Sequence, residues 1–323
     1  MKSDPLIQVL VCTYQGERFV REQLDSIIKQ HYPAIEIYIF DDGSTDKTVT
    51  IIHEYCERYS NIFLYENDNN LGFLRNFEQA IANSSANYIA LSDQDDIWEL
   101  DKLSLSMEAL IALEYQNPKC PALVHSDLSY IDEVGKKIHS SYFKKKGIDL
   151  SRHKALSQIL GHCGIMGNTI LMNRLLAEKA LPFPCGLKYH DYWLAVINEL
   201  FGVRKTLTVP LVQYRIHRDN SSENNRIIQK SKKKVNGAKK WDFPLPFMDD
   251  LREIALKTLL KTYSISADDS YVIKGYCNYL VFNSNRLSHY FFLLKNGFLK
   301  QGLVFKLTTL YRLILTTRYK KTL

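Results

Sequence analysis

The chain has no apolar run long enough to cross a bilayer. Its most apolar stretch, Leu303 to Leu315, is broken by Lys306, Thr308, Thr309 and Arg312, whereas a spanning helix needs about 20 consecutive apolar residues. The first residues, Met1-Lys2-Ser3-Asp4-Pro5, run straight into a strand-like segment and lack the apolar core and cleavage site of a secretory signal. The six cysteines (Cys12, Cys56, Cys120, Cys163, Cys185, Cys277) include no C-x-x-C pair, and several fall within predicted strands or helices. Reduced thiols in the cytoplasm are therefore expected, not a disulfide framework. Two nucleotide fingerprints are also missing. The first apolar run is followed by Thr13-Tyr14-Gln15-Gly16-Glu17, with no G-x-G-x-x-G, and no G-x-x-x-x-G-K-[ST] occurs anywhere, which counts against dehydrogenase and P-loop chemistry.

What remains is an ordinary globular composition, 46% hydrophobic and 24% charged over 323 residues, with room for one large domain or two smaller ones. Charge is unevenly placed. Residues 1–222 carry 23 Lys+Arg against 28 Asp+Glu, a balance of −5, and residues 223–323 carry 19 against 7, a balance of +12. This asymmetry divides the chain into a mildly acidic region, 1–222, and a basic region, 223–323, whose charge suits an anionic partner, either a membrane surface or nucleic acid.

Periodicity in the first region alternates between strand and helix. Ile7 to Cys12, Ile35 to Phe40, Ile62 to Tyr65 and Tyr88 to Leu91 read as strands. Between them, Val20, Leu24, Ile27 and Ile28 share one helical face, Ile51 and Ile52 mark a second helix, and Phe73, Phe77, Ala80 and Ile81 a third. This β-α-β-α-β-α-β order predicts a mostly parallel sheet with covering helices. Ala122 to His125, Ile170 to Met172 and Leu207 to Tyr214 are further expected strands, Gly161-His162-Cys163-Gly164 an expected loop, and Tyr192 to Leu200 an expected helix. The polar, basic stretch from about Ser221, with Lys230, Lys232, Lys233 and Lys234 near Gly237, predicts a linker or exposed loop. Beyond Phe247 the chain reads as mostly helical. There Leu299, Leu303, Leu307, Leu310 and Ile314 form an apolar stripe flanked by Lys300, Lys306, Arg312, Arg318, Lys320 and Lys321, a pattern that suits peripheral attachment to an anionic membrane or a core helix with solvated charges.

The chemistry concentrates at strand ends. Asp93-Gln94-Asp95-Asp96 follows the fourth apolar run, at the edge where open α/β sheets bind ligands. Three carboxylates in four residues repel one another, and a hard divalent cation completed by phosphate oxygens would compensate them. Asp41-Asp42-Gly43-Ser44-Thr45-Asp46 ends the second strand. By itself it reads as a turn and helix cap; beside a second acidic strand end, Asp42 becomes a ligand-binding candidate. Asp191 precedes the apolar run Tyr192-Trp193-Leu194-Ala195-Val196 and suits either a helix cap or a base. Arg215 and His217 follow the last strand, where either can face an anion or a metal, although a lone histidine is more often structural. Tyr14 suits stacking on a base or plain loop exposure.

Taken together, Val9-Leu10-Val11-Cys12-Thr13-Tyr14, Asp41-Asp42-Gly43-Ser44-Thr45-Asp46, Asn70-Leu71-Gly72 with Arg75-Asn76, and Asp93-Gln94-Asp95-Asp96 resemble family 2 glycosyltransferases of the GT-A fold over roughly residues 5–220. The resemblance implies donor-nucleoside contacts from Thr13, Tyr14 and Asp42 and donor-side roles for Arg75 and Arg215. It also implies that Asp93 and Asp95 form a D-x-D, with Asp95 the direct ligand of Mg2+ or Mn2+ and His217 a further candidate ligand. Asp191 falls where such enzymes place their general base. The finer pattern of Ser92 to Trp98, His190-Asp191-Tyr192-Trp193 and Tyr214-Arg215-Ile216-His217 with Asn220 is similar to bacterial rhamnosyltransferases of surface-polysaccharide assembly. The Q-x-x-R-W of processive synthases is not reproduced by Gln213-Tyr214-Arg215-Ile216-His217.

The resemblance therefore implies an inverting transfer from a dTDP- or UDP-sugar to a hydroxyl of a glycan or lipid-linked acceptor, with no nucleic-acid partner, by a cytoplasmic enzyme at or near the inner membrane face. Two rivals use the same residues differently. A nucleotidyltransferase would apply the carboxylate–metal site to a nucleoside triphosphate, and a non-catalytic nucleic-acid binder would use the basic region.

Overall fold

The structure, a computed structural model, describes residues 4–150, 155–220, 250–280 and 286–298. The basic stretch near Gly237 and the Leu299 to Ile314 stripe lie outside the described residues. The first half runs β1 (Ile7–Thr13), α1 (Val20–Ile28), β2 (Ile35–Asp41), α2 (Thr48–Arg58), β3 (Ile62–Glu66), α3 (Phe73–Asn83) and β4 (Tyr88–Ser92). It continues with β5 (Ile97–Trp98), α4 (Lys102–Gln116), β6 (Ala122–Ile131), β7 (Lys137–His139), α5 (Tyr142–Lys146), α6 (Leu156–His162), β8 (Leu171–Asn173), α7 (Arg174–Ala180), α8 (His190–Phe201) and β9 (Val203–Arg215). Three helices follow: α9 (Asp250–Thr262), α10 (Ala267–Leu280) and α11 (Arg286–Lys295).

Among the described residues, nine strands form one sheet in the order β3-β2-β1-β4-β8-β6-β9-β5, with β7 added to β6. The long ladders are parallel: β3, β2, β1 and β4 run together, as do β6 and β9. The antiparallel joins of β8 to β4 and β6, and of β5 to β9, extend over only two or three residue pairs each. The pleat explains why β1 is apolar on both faces, with Gln8 its one polar residue before Thr13. Ile7, Val9 and Val11 face one side of the sheet and Leu10 and Cys12 the other, and both sides are covered, as a parallel sheet requires. Helices α1, α2 and α4 cover the first side through Leu24, Ile52 and Leu110. Helices α3, α6, α7 and α8 cover the second through Phe77, Ile159, Ala177 and Leu194.

Strand order places the site. The chain steps from β1 outward to β2 and β3, then returns to place β4 on the other side of β1, with Val11 beside Ser92. Connections therefore leave β1 and β4 in opposite directions, and a crevice opens at their C-terminal ends. The loops that meet there begin with Tyr14 and with Asp93.

Some expectations need correction. Gly161 is not in a loop but in α6, where its bare Cα admits the backbone of Phe298; a Cβ would lie 3.2 Å from the Phe298 carbonyl oxygen. Strand β6 extends well past His125, paired with β9 as far as Ile131 beside Arg215. Asp127 accepts from the backbone N–H groups of Leu128 and Phe143 at 2.8 and 3.0 Å, and from the Ser141 hydroxyl. Strand β9 begins at Val203, paired with Ala122.

The C-terminal helices join the second-side core. Ala255, Leu256, Leu259, Ile273, Tyr276, Leu293 and Phe298 are buried in the same cluster as Leu160, Tyr192 and Val196. Tyr276 stacks on Phe298 with ring centroids 5.0 Å apart, and the Tyr263 hydroxyl donates to the Lys179 carbonyl at 2.8 Å. Because this cluster is continuous, Leu256→Ala is expected to lower the stability of the whole chain by about 2–5 kcal/mol. Urea unfolding should show one cooperative transition moved to lower denaturant. A separate early transition, with the main one unmoved, would contradict the shared core.

Candidate active site

A cleft of about 340 Å3 lies over the crevice, lined among others by Thr13, Tyr14, Asp42, Asn70, Phe73, Asn76, Asp93, Gln94, Asp95, Tyr214 and Asn220. This volume is at the small end of the range for ligand pockets. Five of the residues singled out by sequence meet here: Thr13, Tyr14, Asp42, Asp93 and Asp95.

The two aspartates ending β2 have separate tasks. Asp41 makes the turn: its carboxylate accepts from Ser44 N–H and hydroxyl, each at 2.7 Å, and from the Thr13 hydroxyl at 2.8 Å. The cap of α2 falls to Asp46, which accepts from Thr48 N–H at 3.0 Å. Asp42 turns toward the cleft, where it accepts from the backbone N–H groups of Leu71 and Gly72 at 2.7 and 2.8 Å and from Asn67 Nδ2 at 3.1 Å. The carboxylate thus pins the 67–72 loop and brings Asn70, Gly72 and Phe73 to the rim. Gly72 enters α3 at φ +83°, a conformation that favours glycine.

The three carboxylates after β4 also divide. Asp96 is fully buried and structural, accepting from Arg215 N–H at 3.1 Å and from Asn168 Nδ2. Asp95 lies at the cleft, with Oδ2 2.7 Å from His217 Nε2 and 3.4 Å from Asn220 Nδ2. Asp93 also faces the cleft, and among the described residues its carboxylate receives no hydrogen bond. Burial, then Asp96, Asp95 and Asp191, hold the Asp93 carboxyl well above the usual carboxylate range. Burial, then Asp93 and Asp42, hold the Cys12 thiol on the cleft floor up in the same way. Of the two carboxylates that open to the cleft, Asp95 is therefore braced by His217 and Asn220, and Asp93 has no side-chain donor among the described residues.

Asp191 occupies the first turn of α8, and its Oδ1 accepts from Tyr192 N–H at 2.6 Å. Burial pushes its carboxyl up to about 6, against the lowering effect of the Tyr192 and Gly167 N–H groups and the Arg252 charge. Asp191 is not the cap expected from sequence, since Tyr189 holds that position; it accepts from the next N–H within the first turn while keeping an elevated proton affinity. His190 beside it is buried and stacked on Phe77, ring centroids 3.9 Å apart, and burial lowers it to about 3, so it is neutral.

Asp191 and the remaining candidates are not among the residues that line the cleft. Arg75 pairs with Glu78 and donates to the Phe183 carbonyl at 3.4 Å. Arg215 is fully buried, with Nε donating to the Asp95 carbonyl at 2.9 Å, Nη2 to Glu22 at 2.7 Å and Nη1 to the Glu133 carbonyl at 3.2 Å. It orients the carboxylate loop from behind. His217 reaches the site only through Asp95, and among the described residues no three His, Cys, Asp or Glu side chains converge as a preformed metal cluster. Phe73 and Gln94 were not assigned site roles from sequence. Phe73 reads as part of the buried face of α3 but is 37% exposed at the cleft; its place in the first helical turn beside a glycine cap was the available signal.

An open sheet with carboxylates at its switch point has the crevice of a ligand-binding α/β fold. The sequence pattern of glycosyl transferase family 2 matches residues 8–174, just over half of the chain. The chain belongs to that family. An uncharacterized glycosyltransferase of Rickettsia typhi is 31% identical over 192 residues, 58% of this chain and 57% of its own length. The dTDP-rhamnosyl transferase RfbG of Shigella flexneri is 37% identical over 115 residues, 34% of this chain and 39% of that one. The chain thus spans less than two thirds of the length of either relative. Among solved structures, S. aureus TarS 1-349 in complex with UDP-GlcNAc superposes with a TM-score of 0.57 at 16% identity, covering 86% of this chain and 73% of that one. The mannosyltransferase PcManGT from Pyrobaculum calidifontis, in complex with GDP-Man and Mn2+, gives 0.51 at 16%, covering 97% and 88%. Both share the fold. Among the described residues no helix is long and apolar enough to cross a membrane.

The division among the carboxylates has a measurable consequence. A raised carboxyl pKa means that ionised Asp93 opposes folding above the unfolded-state pKa, so removing its charge is expected to stabilise the cation-free protein near neutral pH. A shift of one unit corresponds to about 1.4 kcal/mol. Asp93→Asn should therefore raise the thermal midpoint in EDTA. Asp96→Ala should instead lower the midpoint, with a loss of stability of about 1–3 kcal/mol, because buried donors lose their acceptor. Equal destabilisation by both would contradict the assignment.

Proposed function

We propose that the protein is an inverting glycosyltransferase that moves a sugar, with rhamnose the leading candidate, from a dTDP- or UDP-sugar to a hydroxyl of a glycan or lipid-linked acceptor in surface-polysaccharide synthesis. The observation that carries this reading is the pair Asp93 and Asp95, turned into the cleft beside Tyr14 and Asp42 and close enough to Asp191 for its charge to act on Asp93. The partial likeness to a dTDP-rhamnosyl transferase supports the choice of sugar.

The nucleoside half of the donor occupies the Tyr14, Asp42 and Asn70 side, and its diphosphate points toward Asp95. The chemistry of the donor set fits a divalent cation: two cleft-facing carboxylates, with His217 and Asn220 behind one of them, are few protein ligands, as expected where phosphate oxygens and water complete the shell. Asp95 would hold Mg2+ or Mn2+ directly, with Asp93 and His217 as further candidates. When bound, such an ion supplies Lewis-acid stabilisation of charge on the leaving diphosphate. Arg215 holds the Asp95 backbone in place.

The acceptor hydroxyl attacks the anomeric carbon from the face opposite the leaving group. The new carbon–oxygen bond forms as the bond to the β-phosphate oxygen breaks, the bonding pair leaves with the nucleoside diphosphate, and the hydroxyl proton passes to Asp191. A carboxyl with a pKa of about 6 is a better proton acceptor than an ordinary aspartate and still ionised at neutral pH.

Asp191→Asn is accordingly expected to lower kcat by about 10²–10⁴-fold with donor affinity little changed. In the wild-type protein kcat should fall as pH drops through about 6, since the protonated carboxyl cannot accept. A pH–rate series of the purified enzyme checks this. Near-normal turnover by the variant, or a wild-type rate flat across that range, would remove Asp191 as the base.

A further inference from the structure

Gln94 sits between the two carboxylates of the D-x-D, and its side chain does not point toward the phosphate end. Its carboxamide lies along the backbone of Tyr14: Oε1 accepts from Tyr14 N–H at 2.8 Å, and Nε2 donates to Tyr14 carbonyl oxygen at 2.9 Å. A side-chain amide pairing with both polar groups of one residue fixes that residue's position and rotation, as a neighbouring strand would. The contact spans the switch point. It extends the pairing of β1 with β4 past the last backbone register pair, Val11 with Ser92, and makes the loop after one strand depend on the loop after the other.

Two further features indicate that this contact is built in. The Tyr14 loop is otherwise held from the β2 side, with Gln15 N–H donating to Ser44 Oγ at 2.9 Å and Gly16 N–H to Thr48 Oγ1 at 2.7 Å. Gly16 has no need of a left-handed backbone, yet a methyl group there would overlap the Gln94 carboxamide. The glycine leaves room for the glutamine. Tyr14 itself is 48% exposed and lines the cleft, so the clamp presents an aromatic side chain at the cleft, where its π-face can serve a nucleobase.

We propose that Gln94 is a positioning residue for the nucleoside half of the donor site, holding Tyr14 from the carboxylate loop so that the nucleoside and diphosphate ends are set at a fixed spacing. The proposal rests on the donor reading above. It assigns Gln94 no contact with the diphosphate, which separates its effect from that of its neighbours Asp93 and Asp95.

The test uses Gln94→Ala and Gly16→Ala, which break the same clamp from opposite sides, and their double variant. Titrations of UDP, dTDP and inorganic pyrophosphate are run in Mn2+, with thermal midpoints to confirm folding. Loss of two neutral hydrogen bonds predicts a weakening of about tenfold for the preferred nucleotide in each single variant. Pyrophosphate affinity should stay unchanged. The double variant should bind no more weakly than the weaker single one, because the methyl group added by Gly16→Ala meets an obstacle only while Gln94 is present. If one variant does not fold, the other still decides. Undiminished nucleotide affinity, an equal loss for pyrophosphate, or additive losses would overturn the proposal while leaving the donor reading standing. A wild-type protein that binds pyrophosphate but neither nucleotide would overturn both.

Discussion

Repulsion among carboxylates at the β1–β4 edge is the constraint around which the rest of the site is arranged. Asp93, Asp95 and Asp96 are adjacent in sequence, and Asp191 is near enough to add to the strain on Asp93. The protein neutralises only part of this charge. Asp96 is satisfied by Arg215 N–H and Asn168, and Asp95 is braced on one oxygen by His217 and Asn220. What remains unsatisfied faces the cleft. The buried cations do not close the cleft-facing pair: the guanidinium of Arg215 is directed to the Asp95 backbone, the Glu133 backbone and Glu22, and the Lys102 ammonium acts on Asp96. The site is thus left short of positive charge where a ligand enters, and unpaired carboxylates of that kind are strong receptors for a hard ion with phosphate ligands.

Much of this architecture was legible in the sequence because β1, β2 and β4 are largely apolar, interrupted by Gln8 and Glu36, with chemistry beginning where each run stops. Helix α4 was not legible. Leu103, Met107 and Leu110 are buried while Leu105 and Ile111 are exposed, so its apolar residues wind around the helix and give no clean stripe. The same limit applies to side-chain direction. Asp41 and Asp42 are neighbours on one strand end, and only the pleat and the 67–72 loop decide that the first makes the turn and the second meets the cleft. Arg215 and His217 both follow β9. Sequence names them as cations or ligands, but packing decides that one is a buried clamp and the other a partner of Asp95. Gln94 was hidden for a further reason: its function lies in a contact with Tyr14, a relation between two loops that spacing along the chain does not encode.

The helices after residue 250 serve the same site. They complete the core beneath α6 and α8, the second of which carries Asp191, and the Arg252 charge reaches that carboxyl. Composition changes near residue 222, but the hydrophobic core continues across that change. The environment of Asp191, the proposed base, is accordingly set by packing from both regions.

The most direct test of the central claim, that the cleft-facing carboxylates form the cation–diphosphate end of a donor site, is a calorimetric titration of UDP and dTDP into wild-type and Asp95→Ala protein, each in Mn2+ and in EDTA. The account predicts that EDTA weakens the preferred nucleotide strongly for the wild type. It also predicts that Asp95→Ala in Mn2+ binds as weakly as the wild type in EDTA, with no further loss on chelation. Equal affinity under all four conditions would contradict it.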